Sequence, residues 1–528
     1  MRDFQRPGRS AAYGETAMVA TSHPLATLAA IEVLREGGSA ADAALAAAAV
    51  LCIAEPQMTG IGGDAFFIHA DAAGAVNAYN GSGRAPAAAK ADHFAERGIN
   101  ALQPTDAHTV TVPGAVDAWM ALHSGHGRLP LDRLLGPAIT LAREGCIVHP
   151  RVAWDWAHFE ARAKARPEAA ALFLRDGRAL KAGERFANPA LAGTLAAIAR
   201  NGRAAFYEGA VAESLAATLR AAGGLHTAED FAAHHGEAVT PIRTRYRGID
   251  VLECPPNGQG ITALMLLNIL TASGQDLAGL SELDRIHLFS EATKLAYWER
   301  NTWCADPAFA AAPVERLLSA AHARALADAI SMETARTAPP HDRTAHTDTI
   351  YLCVVDRDLN CVSFINSLFN AFGSGIFDPA TGVMLHNRGL GFTFAEGHPN
   401  RMDGGKRPLH TIIPGMALDG DGHPFMPFGV MGGHYQAAGH AHLLMQVLDL
   451  GRDPQAAADA PRSFAHDGVL QVEDTFGADL RAGLAARGHT ITSADQAIGG
   501  AQAIRIDRGR GLLIGGSDPR KDGMALGW

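Results

Sequence analysis

A threonine at the head of an apolar strand is the residue in this sequence best placed to do chemistry. Thr349 follows Asp348 and opens the run Ile350-Tyr351-Leu352-Cys353-Val354-Val355, while the polar, Pro- and His-containing stretch from Thr334 to Thr347 before it reads as an exposed linker. Cleavage between Asp348 and Thr349 would give one residue both a hydroxyl nucleophile and a free α-amine, a nucleophile carrying its own base. The amine suits that role: it titrates at about 7.7–8.0, so roughly one in ten is neutral at pH 7, against fewer than about one in a thousand for a lysine. An ordinary first residue of a core strand meets the same local pattern, so the rest of the chain must decide.

The rest of the chain carries a series of short motifs in a fixed order. Before Thr349 come Ser22-His23-Pro24-Leu25-Ala26, Glu36-Gly37-Gly38-Ser39-Ala40-Ala41-Asp42, Glu55-Pro56-Gln57, Gly60-Ile61-Gly62-Gly63-Asp64, Thr111-Val112-Pro113-Gly114, Tyr246-Arg247-Gly248 and Glu291-Ala292-Thr293-Lys294-Leu295-Ala296-Tyr297. After it come Phe372-Gly373-Ser374-Gly375-Ile376, Gly405-Lys406-Arg407-Pro408 and Met431-Gly432-Gly433. Singly these are weak; in this order, over nearly the whole length, the sequence resembles the γ-glutamyltranspeptidase family of N-terminal-nucleophile hydrolases.

The resemblance implies roles. Thr349 becomes the nucleophile and, by attacking the Asp348 carbonyl, cuts its own chain, leaving a large subunit of residues 1–348 and a small subunit of residues 349–528. Asp348 departs from the neutral residue common before the nucleophile. Ser367 stands where the family has a second hydroxyl bonded to the nucleophile, and serine supplies the same donor and acceptor. Gly432 and Gly433 match the oxyanion-hole pair, where one donor is worth roughly 3–4 kcal/mol.

The substrate contacts of γ-glutamyl-cleaving members are altered. Ser82 stands in place of the α-carboxylate arginine, which moves to Arg84; Phe369 replaces an asparagine; Leu390-Gly391 replaces an acidic pair before Phe392; His410-Thr411 replaces a serine pair. Arg84, Arg388, Arg407, His410, Thr411 and His434 lie in or beside site-forming motifs, and Asp403 is the acidic residue nearest them in sequence. An arginine fork suits a carboxylate. The expected substrate is therefore a small anionic amide such as oxamate, handled by the amidohydrolase-like branch of the family. A γ-glutamyltransferase or glutathione hydrolase, and an unprocessed non-catalytic scaffold, are the alternatives.

The elements that must position these residues read as an α+β chain. Met18 to Val50 suggests two helices about the Gly37-Gly38 turn; Ala65–His69 and Ile249–Cys254 suggest strands; residues 113–235 read as mostly helical. Helices fit Gly260–Leu270 and Leu283–Trp298, and strands fit Thr349–Asp356, Cys361–Asn366, His410–Met416 and Gly511–Ile514. Lys294, three residues after Glu291, reads as a helix-surface ion pair. The family's fold is a four-layer αββα sandwich, which places these pieces in one composite globular domain.

Composition excludes several classes. The 528 residues are 48% hydrophobic and 19% charged, against disorder, and the net charge of −10 without a basic run argues against a nucleic-acid partner. The apolar stretch Ala43–Ala54 is too short to span a bilayer, and no secretory h-region follows the first charges. Six scattered cysteines read as reduced core residues, and a cytoplasmic enzyme is expected. Gly60–Asp64 lacks the Lys-Ser/Thr ending of a phosphate loop, and neither His440-Ala441-His442 nor His234-His235 has a carboxylate or cysteine at ligand spacing. No cofactor or metal is expected. The partners are the substrate and the two halves of one precursor, associated as a heterodimer, with a dimer of heterodimers as an option.

Overall fold

Alternation along the strand Asp348–Val355 explains the architecture. Ile350, Leu352 and Val354 belong to one buried cluster and Tyr351, Cys353 and Val355 to another, so both faces of this strand are covered. That is why its sequence reads as a continuous apolar run. The computed structural model describes residues 8–337 and 348–528, with only the backbone of Asp348, so most of the expected linker lies outside the described residues.

Two seven-stranded sheets stack face to face, each antiparallel throughout. The nucleophile strand is third in its sheet, in the order Met524–Gly527, Met18–Thr21, Asp348–Val355, Cys361–Phe369, Asp64–Ala70, Val76–Gly81, Glu237–Val239. The facing sheet runs Ala12–Gly14, Leu512–Ser517, Gly500–Asp507, Pro424–Met431, Gly415–Leu418, Ile249–Glu253, Ile242–Tyr246. Phe66, Ile68, Tyr351, Cys353, Leu252 and Met416 fill the space between the sheets. Helices Pro24–Arg35, Ala40–Ala54 and Ala115–His126 cover the outside of the first sheet; Gly260–Ala272, Glu282–Trp303 and Gln436–Leu448 cover the outside of the second. This is the four-layer αββα sandwich of the N-terminal-nucleophile hydrolases.

The helix Ala40–Ala54 is buried at every position, which its alanines permit by close packing. It starts at a capping box in which the Asp42 amide donates to the Ser39 hydroxyl and the Ser39 amide to the Asp42 carboxylate.

Several expectations are corrected. Met18–Thr21 is a strand, because it pairs on both sides, with Met524–Gly527 and with the nucleophile strand. His410–Pro414 is not strand; the strand starts at Gly415, and His410 instead bridges to Gly258 across the sheet edge. Lys294 and Glu291 form a 2.6 Å pair that is buried, with side chains 8% and 2% exposed, because residues 335–336 fold over it: the Arg336 amide donates to Glu291 and Lys294 donates to the Arg336 carbonyl. All six cysteines are buried and free. Among the described residues no helix is long and apolar enough to cross a membrane.

Candidate active site

A register shift creates the setting of Thr349. Asp348 pairs with Phe369 and Ile350 with Asn366, so one residue on the nucleophile strand faces two, Ser367 and Leu368, on its neighbour. The Thr349 hydroxyl donates to Ser367 Oγ at 3.1 Å, and the threonine is 1% exposed. Ser367 also accepts from the Phe369 amide at 2.8 Å and from Arg388 Nη2 at 3.2 Å. Gly63 explains part of its own motif here: a Cβ on it would lie 2.2 Å from the Ser367 carbonyl oxygen, so only glycine lets this turn pass behind Ser367.

Gly432 and Gly433 have φ of +123° and +56°, backbone that glycine adopts without strain. Their loop is tied down by groups the sequence did not flag. Gln259 Nε2 donates to the Gly433 carbonyl at 2.8 Å and to the Thr411 carbonyl at 2.7 Å. Arg300 donates to Gln259 Oε1 at 2.7 Å and faces His434 Nδ1 at 3.1 Å, and Tyr297 donates to the His434 carbonyl. The loop runs straight into the helix Gln436–Leu448, whose first side chain donates from Nε2 to Thr349 Oγ1 at 3.3 Å.

Arg388 is fully buried, with its guanidinium 4.2 Å from the Phe369 ring centroid. Beyond Ser367 it donates to Thr411 Oγ1 at 2.7 Å, and its Nε has no partner among the described residues. No carboxylate among the described residues lies within ion-pairing distance of it. Burial depresses its pKa to about 9, partly opposed by Asp64, so it is still a cation at neutral pH.

Behind this cation sits a buried acid. Asp64 accepts from His410 Nε2 at 2.8 Å and from the Gly83 and Gly114 amides at 3.1 and 3.0 Å, and His386 Nδ1 lies 3.6 Å away. Burial opposes its ionisation, but His386, His410 and Arg388 around it outweigh that and hold the carboxyl well below the usual range. Burial, and then Arg388, push His410 down to about 3. His410 is therefore a neutral donor to Asp64, not a cation facing ligand.

Arg84 and Arg407 are placed differently. Arg84 meets Glu237 at 2.8 Å, Asp306 at 3.4 Å and the Gly405 carbonyl at 3.1 Å. Arg407 meets Glu237 at 2.9 Å and the carbonyls of Ser82 and His235 at 3.1 and 3.2 Å. The acids that satisfy them come from distant parts of the chain, which inspection of neighbouring sequence could not find. His434 is half-buried, stacked on His466 with ring centroids 5.5 Å apart.

Beside the Arg388 turn lies an open cleft of about 730 Å³, lined by Gly389, Leu390, Phe392 and Leu102 and by the polar side chains of Gln103, Arg162 and Asn370. Among the described residues, two groups of side chains could hold a cation, His287-Glu291-His489 and Asp419-Asp421-His423. In the first the carboxylate is already held by Lys294 and the Arg336 amide, and neither group includes a residue of the Thr349 network.

Comparison with known proteins places this geometry. The model of the family described as gamma-glutamyltranspeptidase matches residues 26–528. The chain is 38% identical to the glutathione hydrolase-like YwrD proenzyme of Bacillus subtilis (strain 168), over 97% of this chain and 99% of that protein. It is 34% identical to the oxamate amidohydrolase proenzyme of Klebsiella pneumoniae, over 97% and 98%. The crystal structure of a cephalosporin acylase from Bacillus halodurans superposes with a TM-score of 0.93 at 39% identity, covering 100% of this chain and 99% of that one.

Proposed function

Since the chain belongs to the γ-glutamyltranspeptidase family of hydrolase proenzymes, we propose that it is a self-processing threonine amidohydrolase acting on a carboxylate-bearing amide through a Thr349 acyl-enzyme. In processing, Thr349 Oγ attacks the Asp348 carbonyl carbon. The C–O bond forms, the C–N bond breaks, and the departing nitrogen takes up a proton to become the α-amine of Thr349. Water hydrolyses the ester, leaving residues 1–348 and 349–528, which stay together as a heterodimer.

In turnover the neutral α-amine takes the hydroxyl proton as Oγ attacks the substrate amide. The Gly432 and Gly433 amides receive the oxyanion. The amine product leaves with the proton, and the freed α-amine deprotonates the water that hydrolyses the acyl ester. Ser367 holds the Thr349 hydroxyl in line.

The observation that carries the anionic substrate is Arg388. A buried guanidinium with no carboxylate among the described residues in ion-pairing distance, its Nε–H without a partner there and its Nη1 and Nη2 donating to Thr411 and Ser367 beside the nucleophile, suits a substrate carboxylate. Arg84 and Arg407 are engaged by Glu237 and Asp306 and so tie loops together, which leaves Arg388 as the cation for the substrate. The altered positions Ser82, Phe369, Leu390-Gly391 and His410-Thr411 weigh against a γ-glutamyl zwitterion, since each unpaired buried polar group costs about 1–3 kcal/mol. Six buried thiols fit a reducing, cytoplasmic setting.

Oxamate, as in the Klebsiella relative, is the smallest fitting substrate. The open cleft of about 730 Å³, with both polar and apolar lining, favours a second reading, a bulkier carboxylated amide of the kind the name cephalosporin acylase suggests. Intact-mass analysis of wild type and Thr349→Ala tests the chemistry: a small fragment beginning at Thr349 in the wild type alone is expected, and an uncut wild type overturns it in favour of a non-catalytic scaffold. Assay of oxamate, a longer carboxylated acyl anilide and γ-glutamyl-p-nitroanilide tests the substrate. Turnover of the γ-glutamyl compound alone overturns the anionic-amide reading.

A further inference from the structure

We infer that Gln436 is a further catalytic residue, donating its side-chain amide to the nucleophilic oxygen of Thr349 and holding one of that oxygen's lone pairs. This rests on Thr349 being the nucleophile.

The orientation of the amide follows from its surroundings. Gln436 is fully buried, and the Ile413 backbone N–H, which can only donate, meets Oε1 at 3.1 Å. Nε2 must therefore be the atom facing Thr349 Oγ1 at 3.3 Å. Thr349 in turn donates to Ser367 at 3.1 Å. A hydroxyl has one proton and two lone pairs. In the uncut chain the proton is directed at Ser367 and one lone pair is held by Gln436, so a single lone pair remains for attack; after cleavage the proton turns to the α-amine while Gln436 keeps its lone pair.

The same contact strengthens during reaction. As Oγ loses its proton and gains charge, a neutral hydrogen bond becomes charge-assisted, roughly twice as strong. It is therefore stronger in the transition state than in the ground state, the condition for raising kcat. Gln436 lies three residues after Gly433 in the same turn, so the donors for the two oxygens that become charged are carried by one rigid piece of backbone. Its other end holds Ile413, two residues from Thr411, the partner of Arg388.

The competing role is purely structural: Gln436 as a filler that satisfies the Ile413 amide. Two variants separate the roles. Q436E is nearly isosteric and keeps an acceptor for Ile413, but when ionised it cannot donate to Thr349. Q436M removes both contacts. The readouts are rate of self-cleavage by intact mass, kcat and KM of the processed enzyme, and the ratio of variant to wild-type kcat across pH. We expect Q436E to lower cleavage rate and kcat about 10- to 100-fold near pH 8 with KM little changed. The ratio should climb as pH falls, because the protonated carboxyl regains an O–H donor. Q436M should be slow with a ratio independent of pH.

Q436E matching the wild type at every pH overturns the inference, as does a Q436E deficit that does not vary with pH. Should Q436M fold poorly, the Q436E profile decides alone. Failure of the underlying reading looks different: wild type and Thr349→Ala would then remain equally uncut, whatever stands at 436.

Discussion

Asp64 and His410 are joined by a 2.8 Å hydrogen bond with both side chains completely buried, and through it the Gly60–Asp64 turn is locked to the segment that carries Thr411. The same carboxylate takes the Gly83 and Gly114 amides, so one side chain fastens four separate stretches of chain. Removing it strands three donors and takes away the buried charge that partly offsets the desolvation of Arg388. Asp64→Ala should cost about 3–5 kcal/mol, and Asp64→Asn less. Urea unfolding of the purified variants measures this; a loss under about 1 kcal/mol for the alanine would contradict it.

Buried neutral histidines set the acid limit. Burial pushes His23, His410 and His442 each down to about 3. In the unfolded chain they take protons below about 6.5, whereas the folded chain does not until much lower pH. Their stabilising contribution is therefore complete above about pH 6.5 and falls away as pH drops toward 3. Asp64, held below the usual carboxylate range, adds a further loss below about pH 3.9. The urea midpoint should be lower at pH 5 than at pH 7 by the equivalent of a few kcal/mol. Equal midpoints at the two pH values would refute the assignment.

Arg388→Gln separates charge from shape. Turnover of a carboxylated amide should fall about 10- to 100-fold in kcat/KM, while a neutral amide of the same length changes little. Parallel assays decide; equal losses on both would mean that Arg388 acts on the fold and not on the substrate.

Ser367→Ala should slow both self-cleavage and turnover about 10- to 100-fold without stopping either, because Thr349 keeps Gln436. Gly63→Ala should act on the same site from behind, since its new Cβ meets the Ser367 carbonyl at 2.2 Å. Several kcal/mol of destabilisation and loss of processing are expected. Electrophoresis of freshly purified protein over time reads both; a G63A chain that cleaves like the wild type would show that the turn can yield.

The strand after Thr349 was readable from its apolar run, but Thr349 as a nucleophile and Gly432-Gly433 as a site loop were not readable from local pattern, which an ordinary strand start and a plain turn also meet; the order of motifs along the chain singled them out. Met18–Thr21 was misread as helix because its strand character comes from partners hundreds of residues away, Met524–Gly527 and Asp348–Val355. The same distance hid Glu237 and Asp306 from Arg84 and Arg407, Gln259 and Arg300 from the Gly432-Gly433 loop, and Thr349 from Gln436. His410 looked like a cation because nothing nearby revealed that Asp64 would bury against it. Motif order identifies which loops build the site; it does not say which polar side chain in each loop faces the nucleophile.

The two edges where early and late chain meet have a consequence for how the polypeptide could be threaded. Ala12–Gly14 pairs with Leu512–Ser517, Met18–Thr21 pairs with Met524–Gly527, and the Trp528 carbonyl accepts the Glu15 and Thr16 amides at 2.9 and 2.6 Å. A short peptide joining these neighbours would let the gene be reopened at codon 349. Such a permutant would carry threonine at its head once the initiator methionine is trimmed, and on the proposed mechanism that trimming would stand in for self-cleavage.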